Sequence, residues 1–224
     1  MGDYKGDEPK GVILYADTNE VIDACPNKNF HHVFTSVPDI SETEYKNLRD
    51  YTEFFEKMVA RCLEKCKDEG YVIFYQTDSK VNGYWLNKAF MIYDVARISE
   101  VKLIFHKIVL RKEVGKTDRS SPTYSHLLCF SRKSKHGSKK HTFPDVLPVS
   151  KSINRHSTPE VVCNSVMNFI EANQPDDIPK HKHIIFDPFC GEGAILCEAK
   201  KRGYSIFGME IDKDKVEACE KKLG

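Results

Sequence analysis

Short apolar runs alternate along the chain with longer stretches in which apolar residues recur every three or four positions. GVILYAD (11–17) is a short run closed by an acid and predicts a buried parallel strand. HHVFTS (31–36) predicts a second, ended by Val37-Pro38-Asp39. Across 43–69, Tyr45, Leu48, Tyr51, Phe54, Phe55, Met58, Val59 and Cys62 fall on one helical face. Ser41 with Glu44 three later reads as that helix's capping box, and Gly70 as its end. YVIFYQT (71–77) predicts a third strand, 85–98 a helix, and 101–110 and 124–132 two further strands. Only the polar loop 111–123 separates those two, so they are expected to be antiparallel neighbours. A helix over 158–172, with Pro159 in its first turn, leads to a strand (183–187), a glycine turn, a helix (193–202), a strand (204–210) and a helix (213–223).

From His183 onward the chain runs strand, helix, strand, helix and stops, whereas a doubly wound sheet normally continues. The missing strands stand at the front, beginning with GVILYAD, and circular permutation resolves the order. The expected fold is α/β and Rossmann-like: a seven-stranded, mostly parallel sheet with one antiparallel strand, 124–131, between 102–109 and 71–77. Residues 1–224 form one domain, with halves at 11–131 and 156–224 joined by a loop at 132–155.

Composition adds two points. A chain of 224 residues with 40% hydrophobic content buries a sizeable core. Its 34 basic and 33 acidic residues nearly cancel, so the distribution of charge matters more than its total. Arg132, Lys133, Lys135, Lys139, Lys140, Lys151 and Arg155 face only Asp145 in the loop 132–155, and Arg111, Lys112, Lys116 and Arg119 precede it. Such a local, one-signed run suits phosphate contacts. The eight cysteines form no CxxC pair, and no signal peptide or membrane-length apolar run is read, so reduced thiols in an intracellular protein, cytoplasmic or nuclear, are expected. The paired histidines at 31–32 and 181–183 lack a tetrahedral ligand set, and no metal is expected.

The chemistry centres on IIFDPFCGEGAIL (184–196). A strand delivers Asp187, and Pro188-Phe189-Cys190-Gly191 and Gly193 turn into a helix start where a ligand can approach the backbone. The position three beyond Gly193 is Leu196, unlike the dinucleotide fingerprint. About 20 residues on, Glu210-Ile211 ends the next strand, where an acid suits a ribose diol. This pattern resembles motif I of Rossmann methyltransferases, especially amino-methyltransferases of nucleic-acid bases.

The permuted order resembles the β class of that family over nearly the whole chain. The resemblance implies S-adenosylmethionine as cofactor and S-adenosylhomocysteine as product. It implies cofactor contacts from Asp187, Pro188, Phe189, Cys190, Gly191, Gly193, Glu210 and Ile211. It adds Asp17, which reads the adenine amine or caps a helix, and Thr158 in Arg155-His156-Ser157-Thr158-Pro159, near the cofactor carboxylate. Ser36-Val37-Pro38-Asp39 stands where the family has (D/N/S)-P-P-(Y/F/W), so the base-stacking aromatic is replaced by Asp39. In the family the first side chain and the next carbonyl orient an exocyclic amine, roles that fall to Ser36 and Val37. Asp39 is alternatively a general base for a ring nitrogen, or the cap of a short turn.

Asp78, Lys80 and Trp85 leave the same sheet edge, and with Arg119, Arg132 and Lys133 they are the candidate substrate contacts. The expected function is methylation of a base nitrogen in nucleic acid. RNA is favoured because the recognition segment is short. The alternatives are a DNA adenine-N6 or cytosine-N4 methyltransferase and a non-catalytic RNA-binding subunit. A partner subunit or homodimer stays open.

Overall fold

Strands and helices alternate as the apolar pattern predicts, in a computed structural model that describes residues 8–119, 121–135, 143–150, 157–174 and 177–224. Lys139, Lys140, Lys151, Arg155 and His156 lie outside the described residues. The strands are β1 (Gly11–Tyr15), β2 (Phe30–Thr35), β3 (Cys66–Gln76), β4 (Ser79–Val81), β5 (Tyr84–Leu86), β6 (Lys102–Leu110), β7 (Tyr124–Ser131), β8 (Val146–Leu147), β9 (Ile184–Asp187) and β10 (Ser205–Glu210). The helices are α1 (Thr18–Val21), α2 (Leu48–Lys65), α3 (Lys88–Ile98), α4 (Glu160–Asn173), α5 (Ala194–Lys201) and α6 (Lys213–Leu223). The main sheet has the order β1-β10-β9-β2-β3-β7-β6-β8, and β4-β5 form a separate hairpin. From β1 to β3 all neighbours are parallel, while β7 is antiparallel to both β3 and β6.

The first strand of the chain thus lies beside its last, with β10 between β1 and β9. The sheet has eight strands, not the expected seven, because the two-residue β8 pairs with the edge of β6. Such a short segment has no periodicity to read.

Two cores flank the sheet. On one face α2 presents Tyr51, Phe54, Phe55, Met58, Val59, Cys62 and Leu63, all buried at helical spacing against Phe30, Val33, Val72, Phe74 and Phe186. On the other, Val162, Val166, Met167 and Ile170 of α4 meet Ile195 and Leu196 of α5 over Phe34, Ile73 and Ile185. Burying each large apolar side chain contributes about 1.5–3 kcal/mol before conformational entropy is counted. No helix among the described residues is long and apolar enough to cross a membrane.

Several boundaries differ from the sequence reading. Helix α2 begins at Leu48, where the Asn47 side chain accepts from the Asp50 N–H at 2.9 Å, so Ser41 and Glu44 do not cap it. The helix at 85–98 starts at Lys88, because Tyr84-Trp85-Leu86 pair with β4. Strand β3 starts at Cys66, and Gly70 lies inside it rather than at a helix end. Phe30 pairs with Cys66 and His32 with Tyr71, so residues 67–70 bulge opposite His31. A Cβ on Gly70 would lie 2.0 Å from the His31 carbonyl oxygen and 2.6 Å from the Cys66 sulfur. Gly70→Ala is therefore expected to lower stability by about 1–3 kcal/mol, read as an earlier urea midpoint at unchanged slope.

Candidate active site

Ligands of open α/β sheets bind beyond the carboxyl ends of the parallel strands. Five such ends meet here: Asp17 after β1, Ser36–Asp39 after β2, Thr77 and Asp78 after β3, Pro188–Gly193 after β9 and Ile211 after β10.

The turn after β9 is built around two carboxylates. Asp187 is buried, and its Oδ1 accepts from Thr35 Oγ1 at 2.7 Å and from the Phe189 N–H at 3.1 Å. Burial pushes its pKa up to about 7, with the Glu210 carboxylate adding and the two donors opposing. Glu210 Oε2 accepts from the Gly191 N–H at 2.8 Å, and Oε1 accepts from the Asp212 N–H at 2.9 Å. Each oxygen keeps a second lone pair for a ligand hydroxyl. The Cys190 N–H donates to the Met209 carbonyl at 2.9 Å, so this buried residue packs the turn onto β10. Gly193 sits before α5 at φ 75°, where a Cβ would fall 2.2 Å from the Cys219 sulfur. A Cβ on Gly191, in contrast, would meet nothing within 4 Å, so its backbone is open to an approaching group.

The neighbouring loops are tied to this turn. Thr18 Oγ1 donates to the Pro188 carbonyl, and the Ala16 N–H donates to the Glu210 carbonyl at 3.0 Å. Asp17 therefore stands next to Ile211, which is 63% exposed at the strand end. Asp17 Oδ1 accepts from the Asn19 N–H at 2.8 Å and caps α1, the plainer of its two expected roles. Phe189 packs edge-on against Phe54. Thr158 is half-buried just before α4, and no hydrogen bond among the described residues ties it to the turn. Pro159 is the N-cap residue of α4 rather than part of its first turn.

The loop after β2 is pinned at almost every residue. The Gln76 side chain, buried at the end of β3, accepts from the Val37 N–H at 3.0 Å and donates to the Val37 carbonyl at 2.9 Å. The Pro38 carbonyl accepts from the Tyr51 hydroxyl at 2.9 Å. Asp39 Oδ1 accepts from Ser79 Oγ at 2.9 Å and from the Lys88 ammonium, and the Asp39 N–H donates to Glu42 at 2.9 Å in a capping box on the turn 40–42. Burial, helped by the Arg111 guanidinium, pushes the fully buried Lys88 down to about 7. Ser36 is half-buried and makes no side-chain hydrogen bond among the described residues. The cap reading of Asp39 is thus realised, and the carbonyl of Val37 already has one donor.

The candidate substrate residues separate into two groups. Asp78 is a buried structural acid: Oδ1 accepts from the Lys88 N–H at 2.9 Å, and Oδ2 meets His126 Nε2 at 3.2 Å. Lys80 and Trp85 face each other across the β4-β5 hairpin, and Lys80 Nζ donates to the Arg119 carbonyl at 3.3 Å. Arg132 and Lys133 lie at the opposite end of the sheet, because β7 runs antiparallel to β3 and ends at its start. There the Arg132 guanidinium donates to the Ser99 carbonyl at 2.8 Å, and Lys133 pairs with Asp68 at 3.3 Å and Glu69 at 3.2 Å. The structure does not bring these two together with the glycine turn.

Sequence reasoning missed Thr35, Gln76, Tyr51 and Lys88. Thr35 and Gln76 are polar residues closing apolar strands, which is the available signal. Tyr51 read as core, and a lysine at a helix start reads as solvated.

No family model matches the sequence, and no curated protein matches it. Solved structures share its fold. The PvuII DNA methyltransferase (cytosine-N4-specific) superposes with a TM-score of 0.75 at 17% identity, covering 98% of this chain and 90% of that one. TTHA0409 from Thermus thermophilus, a putative DNA modification methylase complexed with S-adenosyl-L-methionine, gives 0.68 at 15% identity, covering 94% and 92%. The M1.HpyAVI–SAM complex gives 0.65 at 14%, covering 95% and 100%. The α/β architecture with its mostly parallel mixed sheet is therefore that of these methyltransferase structures.

Proposed function

We propose that this protein is an S-adenosylmethionine-dependent methyltransferase that acts on an exocyclic amine of a DNA base, cytosine N4 or adenine N6. The observation that carries the reading is the buried Asp187, the open Gly191 and the turn-clamping Glu210, gathered at the carboxyl edge of a sheet shared with a cytosine-N4-specific enzyme. The position of β1 beside β10 supports a circularly permuted chain, with the target loop 36–39 before the cofactor turn. The preference for RNA rested on the short recognition segment. The neighbours named for DNA support the DNA reading better.

The residues present fit this cofactor. Gly191 leaves space against the backbone, Glu210 keeps lone pairs for a ribose diol, and Asp187 offers a buried carboxylate to a cationic group. Asp17 and Ile211 stand beside each other where the adenine would lie. When bound, S-adenosylmethionine supplies a sulfonium methyl group. The chain's own part is to bind, exclude water and orient the amine. Ser36 Oγ would accept from it, and the second lone pair of the Val37 carbonyl, held by Gln76, would give a second acceptor.

The test is incubation with labelled S-adenosylmethionine and separate DNA and RNA pools, followed by nucleoside mass spectrometry. N4-methylcytosine or N6-methyladenine in the DNA pool is expected, and a label confined to RNA would reverse the choice of substrate. Glu210→Ala removes ligand contacts and leaves the Gly191 and Asp212 N–H groups unpaired. It is expected to weaken cofactor binding by about 1.5–3 kcal/mol in calorimetry. Absence of cofactor binding by the native protein would end the enzymatic reading.

A further inference from the structure

The β4-β5 hairpin exposes two aromatic rings beside the candidate site, Tyr84 at 81% and Trp85 at 55%. Its root is fixed. Ser79 Oγ donates to Asp39 in the target loop, and Asp78, just before β4, is held by the first N–H of α3 and by His126. Its tip is Asn82-Gly83 with φ 51° and 84°, the two left-handed residues that a tight two-residue hairpin turn requires. The rings are thus displayed on a hairpin hydrogen-bonded at its root and closed by a tight turn.

The register places Lys80 opposite Trp85 and Val81 opposite Tyr84, so the two aromatics face opposite sides of the hairpin. Lys80 Nζ lies 4.7 Å from the centre of the Trp85 ring and also reaches the Arg119 carbonyl. The loop carrying Lys116 and Arg119 therefore runs alongside, and both residues are exposed. Ring faces with adjacent cations, next to a loop that would hold a target amine, match what single-stranded nucleic acid offers: π-faces and phosphates. Bases inside a duplex have no free face to stack.

Resting on the base-methylation reading above, we propose that the β4-β5 hairpin is a stacking platform for unpaired bases flanking the target nucleotide. The substrate is then a single-stranded stretch of nucleic acid. Trp85 takes one base, Tyr84 can take a second on the other side, and Lys80 and Arg119 contact the intervening backbone.

Trp85 is the chain's only tryptophan, so its emission reports on the platform directly. The probe is a mixed-sequence strand of about 12 nucleotides, within the usual site size, tested alone and annealed to its complement. Saturable quenching by the single strand, absent with the duplex, is expected. Trp85→Ala and Tyr84→Ala should each weaken single-strand binding, read by anisotropy of a labelled strand, by roughly 5- to 150-fold. Cofactor affinity should be unchanged, and Trp85→Phe should keep most of the binding. Equal quenching by the duplex, binding without any change in emission, or native affinity in Trp85→Ala would each overturn the platform. Methyl transfer to duplex with no change in emission overturns the platform and leaves base methylation standing. Saturable single-strand quenching without transfer to any nucleic acid supports the platform and removes the enzymatic reading instead.

Discussion

Ser36→Ala is expected to lower kcat by about 10²-fold, with cofactor affinity unchanged, because Ser36 is the side chain of the target loop left to orient an amine. The other positions of that loop are committed. Val37 is clamped through both main-chain groups by Gln76, the Pro38 carbonyl takes the Tyr51 hydroxyl, and Asp39 holds Lys88, Ser79 and the turn 40–42. The expected loss belongs to orientation, since misplacing a reacting nitrogen by an ångström already costs about that factor. Single-turnover rates at saturating cofactor separate it from binding.

Asp39→Asn provides the contrast. Its removal takes the carboxylate away from the fully buried Lys88, whose pKa burial already pushes down to about 7, so the main expected effect is on folding. Stripping one partner from a buried pair costs about 3–5 kcal/mol, and the partial exposure of Asp39 reduces this to about 1–3 kcal/mol. A lower unfolding midpoint with turnover largely kept per folded molecule is the expected result. A loss of about 10²–10⁴-fold in turnover with stability intact would instead make Asp39 the general base for a ring nitrogen. The exocyclic-amine assignment would then fall.

What could be read in advance was whatever repeats or turns sharply. The apolar runs of β2, β9 and β10 located the central strands, and the glycine turn located the site. The run of β1, read as a buried strand, is instead a parallel edge strand with Val12, Leu14 and Tyr15 exposed, because only β10 flanks it. The features not read were set by tertiary partners. Asn82-Gly83 is a strong hairpin signal, yet three-residue strands on either side carry too little pattern, so Trp85 read as the start of a helix. Lys67–Glu69 are polar and helix-tolerant, and nothing in their pattern shows that Cys66 pairs with Phe30 of β2 while they bulge beside it. Lys88 reads as a solvated lysine because its charge is satisfied by Asp39, 49 residues away in sequence. Arg132 and Lys133 read as phosphate contacts from composition alone, whereas the antiparallel direction of β7 carries them to the far end, against Asp68 and Glu69.

Cofactor affinity is expected to rise about tenfold between pH 6 and pH 8, following the ionised fraction of Asp187. Its carboxyl sits near 7 because burial disfavours the charge, and a ligand cation is what would restore it. Binding near pH 7 should therefore release a fraction of a proton, seen as buffer-dependent heats in calorimetry. The same shift acts on stability without ligand. The folded pKa of about 7 lies above the unfolded carboxyl's value near 4, so the folded chain keeps a proton that the unfolded chain has released. Stability from this group is complete below about pH 4 and is lost as pH rises to 7, by up to about 1.4 kcal/mol per pH unit. His31, His32 and His183 have the opposite sense: burial lowers their pKa values, so they remove stability as pH falls below about 6.5. Comparison with Asp187→Asn separates the two. The amide keeps an acceptor for Thr35 and Phe189 but carries no charge, so at pH 8 the variant should unfold at a higher temperature than the native protein. It should also bind cofactor weakly and with no dependence on pH between 6 and 8. A native affinity that is flat across that range, or a variant that binds as tightly as the native protein, would remove Asp187 from the cofactor site.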